Sequence, residues 1–184
     1  MAAKSDLPRF PRATSTRTAT RVREAAVISL LANAGLRPGE ALALRWDCVG
    51  DRVLIVEHGL DGSLKSTKTD RIRTVSLLAA VIEELDAWRT VEPIRDDDLL
   101  FPQPDGQVFR DTDYHNWRAR QFDPLARAAE VGGATPHALR HSFASLLVQA
   151  GWNALVISNE MSNSPEVVHR DYSHLFRNFV RGDA

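Results

Sequence analysis

Apolar residues recur every three or four positions over most of this chain, which is the spacing of helices that bury one face. Glycine and proline divide the pattern: Gly35 ends the first segment, and Pro38 and Pro136 suit the first turns of later helices. The pattern predicts helices over about 20–33, 38–45, 77–89, 111–122 with a restart at Pro124, 136–150, and from Pro165 onward.

A shorter part of the chain has the pattern of strands. Residues 52–57 alternate and are rich in β-branched side chains, Asp61 and Gly62 form a turn signal, and residues 63–69 and 71–76 continue as further strands. The predicted fold is therefore mainly α with a small antiparallel β-sheet, an α+β class. We expect residues 1–17, rich in Pro, Ser, Thr and Arg, to be a flexible lead-in or linker, and 18–184 to be one domain.

Composition narrows the class of protein. The 184 residues suffice for one domain with a real core, and the single cysteine, Cys48, excludes an internal disulfide and favours a reducing compartment. The longest apolar run, residues 25–31, is too short to span a bilayer, and no secretion signal opens the chain. We expect a cytoplasmic protein with no membrane partner.

Net charge is −1 at pH 7, which argues against strong phosphate binding, since such proteins usually carry a basic excess. The net charge does not show how the charged residues are distributed along the chain. Arginines cluster in two parts of the chain, at Arg9, Arg12, Arg17, Arg21 and Arg23 and at Arg118, Arg120 and Arg127. Charge alone leaves two interpretations open, a basic face with an acidic back or two ordinarily solvated faces.

The helix that begins at Pro136 shows the clearest division of faces. His137, Arg140 and His141 lie roughly 130° away from its apolar stripe, so one face packs while the other offers a guanidinium between two imidazoles. The histidines have the spacing of a metal pair. Arg140 would repel a cation, however, and no nearby carboxylate or cysteine completes a ligand set, so no metal is predicted. The alternative is that Arg140 merely pairs with an acid at the surface.

Four further residues bear chemistry. Arg37 precedes a helix start, which is a good anion site, and Glu40 is close enough to hold Arg37 or a nearby histidine in place. Lys68 lies at or near a turn between two predicted strands, and Tyr172 is a candidate oxygen nucleophile. Taken singly, each has an ordinary alternative: a local ion pair between Arg37 and Glu40, a solvated lysine and a packing tyrosine.

These groups stand in motifs along the chain: Gly-Leu-Arg-Pro-Gly-Glu at 35–40, Thr-Lys-Thr at 67–69, Phe-Pro at 101–102, Thr-Pro-His-Ala-Leu-Arg-His-Ser-Phe-Ala at 135–144 and Tyr-Ser-His-Leu at 172–175. From about residue 34 to 175 the chain resembles the tyrosine recombinase family, the phage integrases and Xer-type resolvases. That family usually has Leu-Gly-His nine residues ahead of its tyrosine, where this chain has Met161, Ser162 and Asn163. We also expect that the family's upstream helical domain, which completes a clamp around DNA, is absent.

The resemblance implies a catalytic domain for site-specific DNA recombination that works without metal, ATP or another cofactor. Tyr172 would attack a phosphate, form a 3′-phosphotyrosyl link and release a 5′-hydroxyl. Arg37 and Arg140 would clamp the phosphate oxygens and stabilise the charge that builds in the transition state.

The remaining site residues follow from the same resemblance. Lys68 would protonate the leaving 5′-oxygen, and His137 would act as a general acid or base near the nucleophile. Asn163 would take the place of the usual histidine and donate a hydrogen bond to a phosphate oxygen from an uncharged amide. Glu40 and His141 would support the site.

The resemblance also implies the partners. We expect double-stranded DNA and further copies of the chain in a tetramer on DNA, in a bacterial or phage-encoded protein of the nucleoid. The expected DNA contacts are Arg71, Arg73, Arg118 and Arg120. Two alternatives stay open, a non-catalytic DNA-binding or assembly module and a relaxase similar to the type IB topoisomerases.

Overall fold

The computed structural model describes residues 16–60, 64–66, 72–91, 98–103 and 105–181. The helices are α1 (Thr16–Asn33), α2 (Pro38–Ala43), α3 (Ala79–Val91), α4 (Asp111–Trp117), α5 (Asp123–Ala128), α6 (Pro136–Gln149), α7 (Ala154–Met161) and α8 (Pro165–Arg181). The strands are β1 (Val53–Val56), β2 (His58–Leu60), β3 (Leu64–Ser66) and β4 (Arg73–Ser76). The predicted class, mainly α with a small antiparallel β component, is confirmed.

Helix α1 packs against both α3 and α6 and so joins the first half of the chain to the second. Its apolar stripe is buried in the larger of two cores. Buried Glu24 accepts a hydrogen bond from Trp117 Nε1 at 2.7 Å, which holds α4 against the same helix. The helix begins at Thr16 rather than near residue 20, so it includes two residues of the expected lead-in, and residues 1–15 lie outside the described part of the chain.

In the part of the chain that the structure describes, the strands form two antiparallel pairs rather than one sheet. β1 pairs with β4, with Val56 opposite Arg73, and β2 pairs with β3. Successive side chains of a strand point to opposite faces. Leu54 and Val56 therefore face the larger core from β1, and Arg73 and Val75 are the inward residues of β4. This alternation decides where Arg73 lies in the site.

Helices α4 and α5 are joined by a π-helical turn, Arg118–Phe122, into one continuous helix. Asp123 N–H donates to the carbonyl of Arg118, five residues back. Pro124 has no N–H to donate and would clash with a regular α-helical turn before it. The wider π turn accommodates the proline, so the helix continues where the sequence predicted a restart.

A second, smaller core lies between α6, α7 and α8. Its buried residues come from all three helices: Ala144, Val148, Ile157, Met161, Val168 and Tyr172. Helix α7 was not predicted. It spans eight residues, too few for a clear period, and its start is marked by Asn153, whose side chain accepts the Val156 N–H at 3.0 Å. It ends at Ser162, which adopts the left-handed conformation with a φ of 47°.

Candidate active site

The loop before α2 places Arg37 and Glu40 at the start of that helix. Gly35 has a φ of 61°, and a Cβ there would lie 2.5 Å from the Phe143 ring, so the close approach of the loop to α6 requires glycine. Glu40 accepts a hydrogen bond from the Arg37 N–H at 2.8 Å and another from its guanidinium at 3.0 Å. The carboxylate of Glu40 thereby fixes Arg37 at the helix start.

Arg73 is not on the surface, where a DNA contact was expected. Its side chain is only 7% exposed, and it donates to the Glu40 carboxylate at 3.2 and 2.7 Å and through Nε to the carbonyl of Glu160 at 3.0 Å. All three nitrogens are bonded inside the protein, so the assignment of Arg73 as a DNA contact is wrong. Its two-residue spacing from buried Val75 was the signal in the sequence.

Arg140 is also buried, with 6% of its side chain exposed. Its guanidinium donates to the carbonyls of Gly35 and Met161 and lies 4.0 Å from the Glu40 carboxylate. The sequence predicted that Arg140 lies off the packing face of α6. That was wrong because the carboxyl end of α7, which was not predicted, covers the residue. One buried carboxylate therefore serves three arginines.

The crowding of like charges changes the ionisation of this cluster. The pKa of Arg140 is lowered to about 10, first by burial and then by the charge of Arg37, although Glu40 acts in the opposite direction. Burial alone would raise the pKa of Glu40, but the hydrogen bonds and charges of Arg73 and Arg37 lower it overall. Glu40 is therefore an anion at neutral pH and balances part of the positive charge.

Asn163 connects the two arginines that the sequence assigned to the phosphate. Its Oδ1 accepts hydrogen bonds from Arg37 at 3.0 Å and from Arg140 at 3.1 Å. The carbonyl of Ser162 accepts from the same nitrogen of Arg37 at 2.9 Å. Two guanidinium donors require the amide oxygen on this side, so the amide nitrogen points away from them. In this structure Asn163 is an acceptor for arginine, whereas the sequence suggested a donor to phosphate.

Tyr172 lies on α8 with its ring in the smaller core, and the residue is 4% exposed. Its hydroxyl lies 2.6 Å from Nδ1 of His141, whose ring centroid is 5.8 Å from that of the tyrosine. His137, which we expected near the nucleophile, is an exposed residue one helical turn earlier on α6. The sequence assigned His141 only a supporting role, and the structure brings it to the tyrosine.

Burial sets the ionisation of both groups. It raises the pKa of Tyr172, an effect that Arg140 opposes and Asp171 reinforces. The pKa of His137 is lowered, first by partial burial and then by the surrounding cations, with Arg140 the foremost. At neutral pH the tyrosine hydroxyl is therefore protonated and the His137 ring is neutral.

This constellation is accompanied by a match of residues 3–177 to the model of the phage integrase family. The chain belongs to the phage integrase family. Its curated relatives in that family are recombinases. It is 30% identical over 158 residues to "Tyrosine recombinase XerH" of Helicobacter pylori. The aligned residues cover 84% of this chain and 41% of the relative. It is 33% identical over 147 residues to "Tyrosine recombinase XerC" of Brucella suis, which covers 77% of this chain and 43% of the relative. This integrase-family chain spans less than half the length of these relatives.

Solved structures share the fold of this integrase-family chain. The crystal structure of XerA recombinase superposes with a TM-score of 0.63 at 24% identity, over 90% of this chain and 60% of that one. The catalytic domain of bacteriophage HP1 integrase gives a TM-score of 0.57 at 19% identity, over 92% and 91%. The crystal structure of XerH bound to its difH substrate before cleavage superposes with a TM-score of 0.63 at 22% identity, over 94% of this chain and 47% of that one.

The other residues singled out in the sequence lie elsewhere. Lys68 and Arg71 fall outside the described residues. Arg118 and Arg120 lie on the π turn between α4 and α5; Arg120 is exposed, and Arg118 Nε is 3.4 Å from Asp123 Oδ1. That helix packs into the larger core, whereas Tyr172 lies in the smaller one.

The described residues contain neither a metal-binding group of side chains nor a membrane-spanning helix. No group of three or more His, Cys, Asp or Glu side chains in the described ranges is arranged to hold a metal ion. In the same ranges, no helix is long and apolar enough to cross a membrane. The histidine pair of α6 thus has no third ligand in that part of the chain.

Proposed function

We propose that this chain is the catalytic domain of a site-specific DNA recombinase that cleaves and rejoins DNA through a 3′-phosphotyrosyl intermediate, without metal or ATP. The observation that carries the proposal is the meeting of Arg37 and Arg140 at Asn163, with Tyr172 on the next helix and its hydroxyl on His141. These residues are distant in sequence. Their convergence supports one chemical site rather than separate packing roles.

The two guanidiniums suit the phosphate. Arg37 has 42% of its side chain exposed and offers the accessible donors, whereas Arg140 lies beneath it as a fixed, buried charge. Planar guanidinium groups match phosphate oxygens in pairs of hydrogen bonds. Because Glu40 and the carbonyls at the end of α7 already orient both groups, little reorganisation is needed when charge develops in the transition state.

The chemistry is a transfer of the phosphoryl group from one oxygen to another. The Tyr172 oxygen bonds to phosphorus as the bond to the 5′-oxygen breaks, and the phosphotyrosyl ester conserves the energy for rejoining. We assign Lys68 as the proton donor to the leaving 5′-oxygen, and His137 as a neutral acid or base beside the phosphate. These two assignments rest on the resemblance of their motifs to those of the family.

Double-stranded DNA is the proposed substrate. Support comes from structures of similar fold that hold DNA, including XerH on difH and the Tn1549 transposon integrase on a circular intermediate. In our proposal, the DNA backbone is contacted by Arg71, Arg118 and Arg120. Residues 18–184 act as one catalytic domain. Four copies of the chain assemble on DNA in the bacterial nucleoid. A non-catalytic DNA-binding module is not favoured, because the curated relatives are named recombinases.

Covalent trapping tests this function without knowledge of the DNA site. A library of nicked duplexes with randomised sequence would be incubated with the protein, and adducts that survive denaturation would be isolated and sequenced. We expect adducts with enriched sequences from the wild-type chain and none from Tyr172→Phe, which keeps the packed ring and loses the hydroxyl. No adduct from either protein would overturn the proposal. Strand exchange between two recovered sites would then separate a recombinase from a relaxase.

A further inference from the structure

The proposed reaction needs a group that removes the proton of Tyr172. A phenol has an ordinary pKa of about 10, and burial raises that of Tyr172 further. The hydroxyl is therefore protonated at neutral pH, and a protonated hydroxyl is a poor nucleophile. It must lose its proton as the oxygen bonds to phosphorus, which places the proton acceptor beside that oxygen.

We propose that Nδ1 of His141 is the proton acceptor for Tyr172. This inference rests on the recombinase function proposed above. The separation of 2.6 Å between Nδ1 and the hydroxyl is within the reach required of a general base. In the tautomer with its proton on Nε2, Nδ1 presents a lone pair to the hydroxyl. Among the described residues, His141 is the hydrogen-bond partner that the structure gives to this hydroxyl.

Charged and titratable groups surround His141 on two helices, α6 and α8. From its own helix, Arg140 contributes a positive charge, and His137 contributes a ring that is neutral at neutral pH. From α8, Asp171 contributes a carboxylate beside Tyr172; its pKa is lowered chiefly by the hydrogen bond from Arg170 and also by attraction to His141. Asp171 therefore lies where its carboxylate can stabilise the imidazolium that proton transfer forms.

The O–H bond of Tyr172 breaks and its proton moves to Nδ1 of His141, which becomes an imidazolium. The tyrosine oxygen bonds to phosphorus, the bond to the 5′-oxygen breaks, and that oxygen takes a proton from a separate donor, Lys68 in our assignment. On rejoining, the 5′-oxygen bonds to phosphorus and its proton returns to the separate donor, while the phosphotyrosyl bond breaks and the imidazolium gives its proton back to the tyrosine oxygen. His141 thereby serves as base in cleavage and acid in rejoining.

Single-turnover cleavage of a trapped nicked substrate over a range of pH tests the basicity of His141. Glutamine at this position can still accept a hydrogen bond from the hydroxyl but is not a base, so His141→Gln separates proton transfer from mere positioning. We expect a loss of about 100-fold or more, together with loss of the acidic limb of the wild-type rate profile. His115→Gln, at an exposed histidine of α4, should match wild type.

Two chemical rescues locate the defect on the nucleophile side. A substrate with sulfur in place of the bridging 5′-oxygen has a leaving group that needs no proton. It should restore cleavage to Lys68→Ala and leave His141→Gln slow. Free imidazole should restore part of the rate to His141→Ala, because the position is exposed and the substitution leaves room beside the hydroxyl.

The outcomes separate this inference from the function on which it rests. If wild type forms adduct and His141→Gln cleaves at the same rate or faster, His141 only holds the tyrosine at rest and the inference is overturned. Rescue of His141→Gln by the sulfur substrate would overturn it too, because the histidine would then act on the leaving group. Absence of adduct from wild type would instead remove the proposed function.

Discussion

Replacing Glu40 by glutamine should destabilise the fold far more than the same change at an exposed carboxylate. The Glu40 side chain is 3% exposed, accepts hydrogen bonds from Arg37 and Arg73, and lies 4.0 Å from the Arg140 guanidinium. Glutamine keeps the shape but removes the charge, and its amide nitrogen meets guanidinium donors. Two deeply buried arginines then lose their counter-charge.

The magnitude follows from the burial. Removing one partner of a buried ion pair costs about 3–5 kcal/mol, and 1 kcal/mol shifts Tm by about 2–4 °C for a chain of this size. Glu40→Gln should therefore lower Tm by about 6–20 °C. Glu83→Gln, at an exposed position on α3, is the matched control. Such a surface change costs at most about 0.5 kcal/mol, a shift of about 2 °C or less.

The pH dependence of stability provides a second test of the role of Glu40. The folded-state pKa of Glu40 is lowered, because the arginines outweigh the effect of burial. Such a group contributes stability that is fully present above its unfolded-state pKa, about 4.3, and is lost as pH falls through the folded-state value. The Tm difference between wild type and Glu40→Gln should be full at pH 7 and shrink as the pH drops below about 4.

Differential scanning calorimetry of wild type, Glu40→Gln and Glu83→Gln at a series of pH values measures both effects. Equal Tm values for the two variants at pH 7 would refute the claim that Glu40 is the counter-charge of the arginine cluster. A Tm difference that stays constant into acid would show that the lost stability comes from packing instead.

Further changes test other parts of the site. Arg37→Ala should slow cleavage by about 100-fold with little change in Tm, whereas Arg140→Ala, at a buried position, should lower both the cleavage rate and Tm. Cleavage assays and calorimetry of the two variants test this difference, and equal losses of Tm would contradict it. Asn163→Asp should raise Tm and slow cleavage, because a carboxylate at this position would bind both guanidiniums in place of the phosphate. A single-turnover rate equal to that of wild type would contradict the contact of Asn163 with both arginines. EDTA should leave cleavage unchanged, and loss restored by a divalent ion would revive the metal pair of His137 and His141.

Much of the fold was readable because local signals agreed with it. Thr135 accepts the Ala138 N–H at 3.0 Å with Pro136 in the first turn, as the cap predicted. Helix α7 was missed because eight residues, apolar on most sides, give no period. That omission had a consequence, since the end of α7 is what buries Arg140 and brings Asn163 to Arg37.

The site was predicted as a set of residues rather than as a set of contacts. The motifs brought Arg37, Arg140 and Tyr172 together. The sequence could not show which histidine of α6 contacts the tyrosine, because that depends on where α8 packs against α6. The structure selects His141 because the approach of α8 sets the position of the Tyr172 hydroxyl. Arg73 was misassigned for a simpler reason, since an arginine beside a hairpin looks exposed unless the inward alternation of β4 is applied to it.

The most direct test of the central claim is to identify the residue that carries DNA in the trapped adduct. The chain has two tyrosines, and trypsin separates them, with Tyr114 in peptide 111–118 and Tyr172 in peptide 171–177. Adduct formed in the presence of EDTA would be freed of the chelator, digested with nuclease and trypsin, and analysed by mass spectrometry. We expect a nucleotide joined through its 3′-phosphate to the oxygen of Tyr172. A nucleotide on Tyr114 or on another residue, or a linkage to the 5′ end of the DNA, would contradict it.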